Sequence, residues 1–235
     1  MEKTRRKIIV GVPVRNDLKS FKFMINSLIG STNFYDKILI IESESTDGCK
    51  EYCDKLVELS PKIQVVHTAK EGPLAAYNRL FDIAIQEEAD LLLTQTDVVF
   101  PTLYETDWLQ TMYDVASRED VGAVTTLNGC GRSGPDYINN FDWLGGWCTY
   151  LPYKTLKVIG KYDDTFYKGW GVDIDYSYRI FKAGLKCVVI NYWVHHHMMN
   201  ERTHDYSNDV ETEKKIAAEH FRKKWKLGEF KDVVD

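Results

Sequence analysis

The first hundred residues alternate short runs of β-branched and other apolar side chains with longer stretches whose apolar positions recur every three or four residues. The short runs predict strands at 8–14, 37–41, 63–67 and 89–94, and the longer stretches predict helices at 18–28, 48–59 and 74–86, the last opened by Gly72-Pro73. The strand runs are almost continuously apolar, as a sheet covered by helices on both faces requires. Strand and helix in regular alternation predict an α/β fold with a mainly parallel central sheet flanked by helices.

Beyond residue 100 the pattern is less regular. A helix is expected at 107–117 and a strand at 121–126, followed by a loop at 128–140 rich in Gly, Asn and Ser, read as mobile and substrate-facing. A strand at 146–152 and a short helix at 153–159 follow, then a helix at 175–183 stopped by Gly184. A last strand at 186–194 runs into His195-His196-His197. The segment 213–224 is amphipathic, with Ile216, Ala217, His220, Phe221 and Trp225 on one side, and is expected to pack back on the domain.

At 235 residues, 44% of them hydrophobic, the chain can bury the core of one domain. A net charge of -5 excludes a protein that works by coating nucleic acid, which needs a dense basic surface. The basic clusters are local: Lys3, Arg5, Arg6 and Lys7 at one end, and Arg222, Lys223, Lys224 and Lys226 at the other. They read as solvated, with peripheral contact to an anionic membrane as the alternative. The five cysteines are odd in number and lack CxxC spacing, so reduced, buried thiols are expected. With charged first residues and no apolar run near the ~20 residues that span a bilayer, the expectation is a soluble, cytoplasmic protein without a transmembrane segment.

An open α/β sheet binds ligands beyond the carboxyl ends of its strands. Here those exits read Pro13-Val14-Arg15-Asn16, Glu42-Ser43-Glu44-Ser45-Thr46-Asp47-Gly48 and Gln95-Thr96-Asp97. Such acidic, amide-rich exits suit a metal-bridged diphosphate better than bare phosphate. Asp97 is placed to hold Mg2+ or Mn2+, or else to cap the next turn. In Gly169-Trp170-Gly171-Val172-Asp173-Ile174-Asp175, the second acid reads as a helix cap near Arg179. Asp173 follows a Gly-Trp-Gly turn whose aromatic face suits a sugar, and a carboxylate there can take a proton from an incoming hydroxyl. Strand alternation puts His195 and His197 on one face and His196 on the other, so at most two of the three can address one metal, the alternative being a surface run without a ligand.

Taken together, these residues resemble the inverting family-two glycosyltransferases of the GT-A fold, from Ile8 to about Trp225. The family's strand-Pro-x-Tyr/Arg-Asn opening is matched by Pro13-Val14-Arg15-Asn16, and its acid followed by Asn-x-Ser-x-Asp-Gly by Glu42-Ser43-Glu44-Ser45-Thr46-Asp47-Gly48. Its Gly and Asn before and within the next helix are matched by Gly72, Ala75, Ala76 and Asn78. The Asp-x-Asp falls on Gln95-Thr96-Asp97 with only the last acid kept, and Glu-Asp-x-Asp-x-x-x-Arg falls on Val172 to Arg179 with the first acid replaced. Val172 in that place lowers nearby negative charge, so Asp173 is expected to ionise more readily.

The resemblance implies one GT-A domain over 1–235, with a nucleotide-binding part at about 1–100, an acceptor-binding part at about 101–205 and a packing helix at about 209–226. It implies a one-step transfer from a nucleotide-diphosphate sugar, UDP-linked by preference, to a glycan or other hydroxyl acceptor, with Mn2+ or Mg2+ as cofactor. Asp173 would be the base; Asp97 with His195 and His197 would hold the metal. Pro13, Arg15, Glu42, Asp47, Asn78, Thr96 and Asp97 would bind the donor nucleotide. Trp147, Trp170, Gly171 and Asp175 would face sugar and acceptor. The alternatives are a nucleotidyltransferase, against which stands the lack of a Gly-rich phosphate loop after the first strand, and a carbohydrate-binding scaffold that kept the fold.

Overall fold

The computed structural model describes residues 5–102, 106–127, 130–132, 142–196 and 210–227. Its first half follows the hydrophobic pattern closely: β1 (Ile8–Val14), α1 (Leu18–Ser31), β2 (Lys37–Ser43), α2 (Cys49–Leu59), β3 (Ile63–Thr68), α3 (Pro73–Gln86) and β4 (Asp90–Thr94). Next come β5 (Val98–Val99), α4 (Trp108–Ala116), β6 (Val121–Thr125), β7 (Cys130–Arg132), β8 (Asp142–Leu144), β9 (Cys148–Leu151) and α5 (Tyr153–Ile159). A 3-10 turn at Tyr167–Gly169 leads to α6 (Val172–Lys182), β10 (Lys186–Val189), β11 (His195–His196) and α7 (Val210–Lys224).

The main sheet has the order β10-β6-β9-β4-β1-β2-β3. β3, β2, β1 and β4 run parallel, while β9 runs antiparallel between β4 and β6. β1 lies between β2 and β4, so the chain runs from it through β2 and β3 on one side and returns on the other at β4, the switch point at which sheets of this kind bind ligands.

Alternation along β1 sends Ile8, Val10 and Val12 to one face and Ile9 to the other. The first face packs under α1, α2 and α4 through Phe21, Met24, Cys53, Leu109 and Met112. The second is covered by α3, α5, α6 and α7 through Leu80, Phe81, Leu156, Ile180 and Phe221. Cys49, Cys53 and Cys148 are buried and free, as their spacing implies.

The differences lie where tertiary contacts compete with local pattern. The expected strand 186–194 is two: β10 ends at Val189, and β11 pairs antiparallel with β5, a two-residue strand that the pattern does not disclose. Within the expected loop 128–140, Cys130–Arg132 pairs with Asp142–Leu144, while 133–140 falls outside the described residues. The helix expected at 175–183 begins at Val172, because Gly171 takes a left-handed conformation (φ 76°) as its N-cap. On α7 the buried stripe is Glu213, Ala217, Ala218 and Phe221, while Ile216 is 41% exposed. The i, i+4, i+8 row that faces the core leaves Ile216 just outside it.

Candidate active site

The exits of β1 and β2 are tied to each other by bonds between side chains and backbone amides. Asn16 donates its amide to Ser45 Oγ at 3.1 Å, and its own Oδ1 accepts from the Thr46 amide at 2.7 Å. Asp47 accepts from the amides of Leu18 (2.7 Å) and Cys49 (3.0 Å), joining the starts of α1 and α2. Burial pushes the Asp47 carboxyl up, but these donors outweigh it and hold the group below the usual carboxylate range.

Glu42 is buried, and both its oxygens are engaged: Oε1 accepts from the Ser45 amide (2.6 Å) and Oε2 faces His67 Nδ1 (2.9 Å). His67 Nε2 lies 3.0 Å from Asp54. Hydrogen bonding to Glu42, with Asp54 beyond it, raises the imidazole above its ordinary value. Pro13 and Arg15 stand half-buried at the end of β1. Asn78 donates from Nδ2 to the Tyr162 carbonyl at 3.0 Å and so ties α3 to the segment before the 3-10 turn.

Beyond β4, Gln95, Thr96 and Asp97 are half-buried. Thr96 Oγ1 donates to Asp17 Oδ2 at 2.5 Å. Burial first, then the charges of Asp97 and Asp47, raise the Asp17 carboxyl above its usual range. Asp17 escaped the sequence reading, although it follows directly on Pro13-Val14-Arg15-Asn16; its link to Thr96 is a contact across 79 positions.

The histidine beside Asp97 is His196, with Nε2 3.8 Å from Asp97 Oδ1. The pairing of β11 with β5 sets this, because His196 lies opposite Val98 while His195 lies opposite Val99 and is exposed. Of the two histidines expected beside Asp97, His195 therefore points away and gives that place to His196, while His197 falls outside the described residues. The Trp147 ring stacks on His196 at 4.5 Å between centroids and 13° between planes, so that face carries the imidazole rather than standing open for a sugar. Gly145 makes room for that ring: a Cβ there would lie 2.2 Å from it.

Asp173 is the second residue of α6 and partly exposed, with Oδ1 accepting from the Ile174 amide at 2.9 Å. Burial raises its carboxyl to about 6, against the pull of the amides of Ile174 and Gly146. The loss of a neighbouring acid at Val172 therefore does not make Asp173 ionise readily; desolvation dominates. Adjacent residues thus serve both halves of the site, the Gly146 amide toward Asp173 and the Trp147 ring toward His196 and Asp97.

Asp175 neither caps α6 nor faces the crevice. It is fully buried, with Oδ2 accepting from Arg179 Nε (3.0 Å) and Oδ1 from Trp225 Nε1 (2.9 Å) and Lys224 Nζ (2.7 Å). The i, i+4 spacing to Arg179 and the overlying α7 claim the carboxylate before an acceptor could. Trp170 donates its indole N–H to Glu213 at 2.7 Å and remains half-buried beside Gly171.

Among the described residues no set of three or more His, Cys, Asp or Glu side chains converges on one point. Asp97 and His196 by themselves present one carboxylate oxygen and one imidazole nitrogen 3.8 Å apart. That mixed donor pair suits Mn2+, whose remaining positions water and phosphate oxygens can fill.

A family model described as "Glycosyl transferase family 2" matches residues 9–170. The chain belongs to glycosyl transferase family 2. It is 32% identical over 106 residues to the Escherichia coli (strain K12) protein described as "Uncharacterized glycosyltransferase YibD"; the match covers 45% of this chain and 30% of that protein. Among solved structures it is similar to the mannosyltransferase PcManGT from Pyrobaculum calidifontis, in complex with GDP-Man and Mn2+ (TM-score 0.58, 17% identity, 80% of this chain and 56% of that one). It is similar also to GalNAc-T7 with UDP, GalNAc and Mn2+ (TM-score 0.67, 16% identity, 83% of this chain and 44% of that one). The GT-A glycosyltransferase fold is thereby established, for a chain that spans about half or less of the proteins it matches. The family model stops at residue 170, so Asp173, His196 and α7 lie beyond it.

Proposed function

We propose that this chain transfers a sugar from a nucleoside diphosphate sugar to a hydroxyl acceptor, with inversion at the anomeric carbon and Asp173 as general base. The observation that carries this reading is the 145–147 segment, which brings together a carboxyl raised to about 6 and the Asp97–His196 pair. A base with that value is ionised at neutral pH yet basic enough to accept a proton.

Asp173 takes the proton from the acceptor hydroxyl as its oxygen bonds to the anomeric carbon. The bond from that carbon to the diphosphate breaks on the opposite side, and the diphosphate leaves with the electron pair. Asp97 and His196 would hold Mn2+ or Mg2+, and the bound ion would neutralise charge on the leaving diphosphate. Pro13, Arg15 and Thr96 would line the nucleotide side, with Asp47, Asn16 and Glu42 holding its loops in place. Trp170 would flank the sugar. The two similar solved structures, one with GDP-Man and one with UDP, each also with Mn2+, support the choice of a nucleotide-linked donor and a divalent metal.

A thermal-shift screen of UDP- and GDP-sugars with and without Mn2+, followed by a donor hydrolysis assay, tests it. Metal-dependent stabilisation with slow hydrolysis is expected. A protein stabilised by no nucleotide sugar and hydrolysing none is a scaffold that kept the fold.

A further inference from the structure

Glu213 is 4% exposed, while Lys214, Lys215 and Glu219 on the same helix lie in solvent. A carboxylate is rarely buried so far unless dedicated partners compensate. Two partners come from one turn: Oε1 accepts from Lys168 Nζ and Oε2 from Trp170 Nε1, each at 2.7 Å. Lys214 adds a third contact from α7, its ammonium 5.9 Å from the Trp170 ring centroid.

The turn itself is conformationally unusual. Lys168, Gly169 and Gly171 have φ of 51°, 79° and 76°, and a lysine in the left-handed region persists where its surroundings over-determine it. The turn runs directly into α6, whose second residue is Asp173. The other end of α7 is anchored separately, by Lys224 to Asp163, Trp225 to Asp175 and His220 to Thr165. Those contacts dock the helix on the domain. The Glu213 bonds go instead to the turn in front of the base.

We propose that Glu213 is a positioning residue of the active site: through Lys168 and Trp170 it fixes the turn that aims Asp173 and holds the indole as the wall on the sugar side. This ties the first turn of α7 to the positioning of the base and rests on the glycosyl-transfer reading above.

The test measures hydrolysis of UDP-glucose and GDP-mannose with Mn2+, and the affinity of UDP and GDP, in the full chain. Misplaced catalytic geometry costs on the order of tenfold to a hundredfold in turnover, so Glu213→Ala should lose that much while nucleoside diphosphate affinity stays within about twofold. Glu213→Gln, whose amide oxygen still accepts from the indole, should recover part of the rate. Phe221→Leu loosens the same helix where it packs on Tyr178, away from the turn, and should keep its rate. Trp170→Phe removes the donated hydrogen bond while keeping a ring, and should lose turnover in the same sense even if Glu213→Ala folds poorly. Native hydrolysis in Glu213→Ala or Trp170→Phe, or an equal loss in Phe221→Leu, overturns the proposal and leaves the transferase reading standing. A wild-type protein that binds neither nucleotide and hydrolyses neither sugar overturns both.

Discussion

Asp173 carries two opposed consequences of one environment. The burial that raises its carboxyl to about 6 suits it to the proposed role of base and also disfavours its ionised form in the folded chain. Donor hydrolysis or transfer should therefore rise with pH to a half-maximum near 6, and a pH-rate profile checks this. Asp173→Asn should lower turnover by ~100- to 10,000-fold with donor affinity retained. Because the folded state binds the proton more tightly than the unfolded one, wild-type stability should fall as pH rises from about 4 through about 6. The asparagine variant, free of that cost, should melt no lower than wild type at pH 7.5, with a gain of at most about 3 kcal/mol; a clearly lower melting temperature would show the carboxylate to be structural. At the other half of the site, Asp97→Ala and His196→Ala should both weaken Mn2+-dependent nucleotide binding. Titration of His195→Ala should show native affinity, since that side chain is exposed on the opposite face.

Among the elements, the short link between β8 and β9 is the most constrained. Gly145→Ala drives a methyl into the Trp147 ring, and overpacking of this kind costs roughly 1–3 kcal/mol. The variant should also lose metal-dependent nucleotide binding, because the ring that backs His196 must move; calorimetry on the folded variant separates the two effects. Between β2 and β3, His67 bridges Glu42 and Asp54. Its raised value means that the bridge contributes fully below the unfolded value near 6.5 and is lost as pH rises through the higher folded one. Melting curves should show His67→Ala more destabilising at pH 5.5 than at pH 9, and an equal loss at both would mean packing rather than charge.

Across the whole molecule, the C-terminal helix closes one face of the sheet and completes two buried networks. Ala217 and Phe221 join the second core, and Lys224 and Trp225 satisfy Asp175. Leaving a buried carboxylate short of partners typically costs ~3–5 kcal/mol. A chain ending at residue 209 should thus melt far lower than the full chain or fail to remain soluble, which differential scanning calorimetry and gel filtration check.

The period of the hydrophobic pattern settles the α/β class, the order of the first seven elements and the polar strand exits, because each depends on side chains near in sequence and on which face they present. Asp97 and Asp173 stand out as candidates for the same reason: each directly follows a local signal, the end of a buried strand or a Gly-Trp-Gly turn. The identity of the histidine was not, because β10 breaks after Val189 and the register of β11 is set by β5, almost a hundred positions earlier, so that alternation counted from β10 misplaces it by one. Asp175 looks like a cap until Trp225 and Lys224 arrive over it, and Asp17 looks like a loop acid until Thr96 meets it. Nothing in the local sequence marks Glu213 as buried. Only the packed chain brings its carboxylate onto the turn before Asp173, since burial and charge pairing are properties of the neighbours that folding supplies.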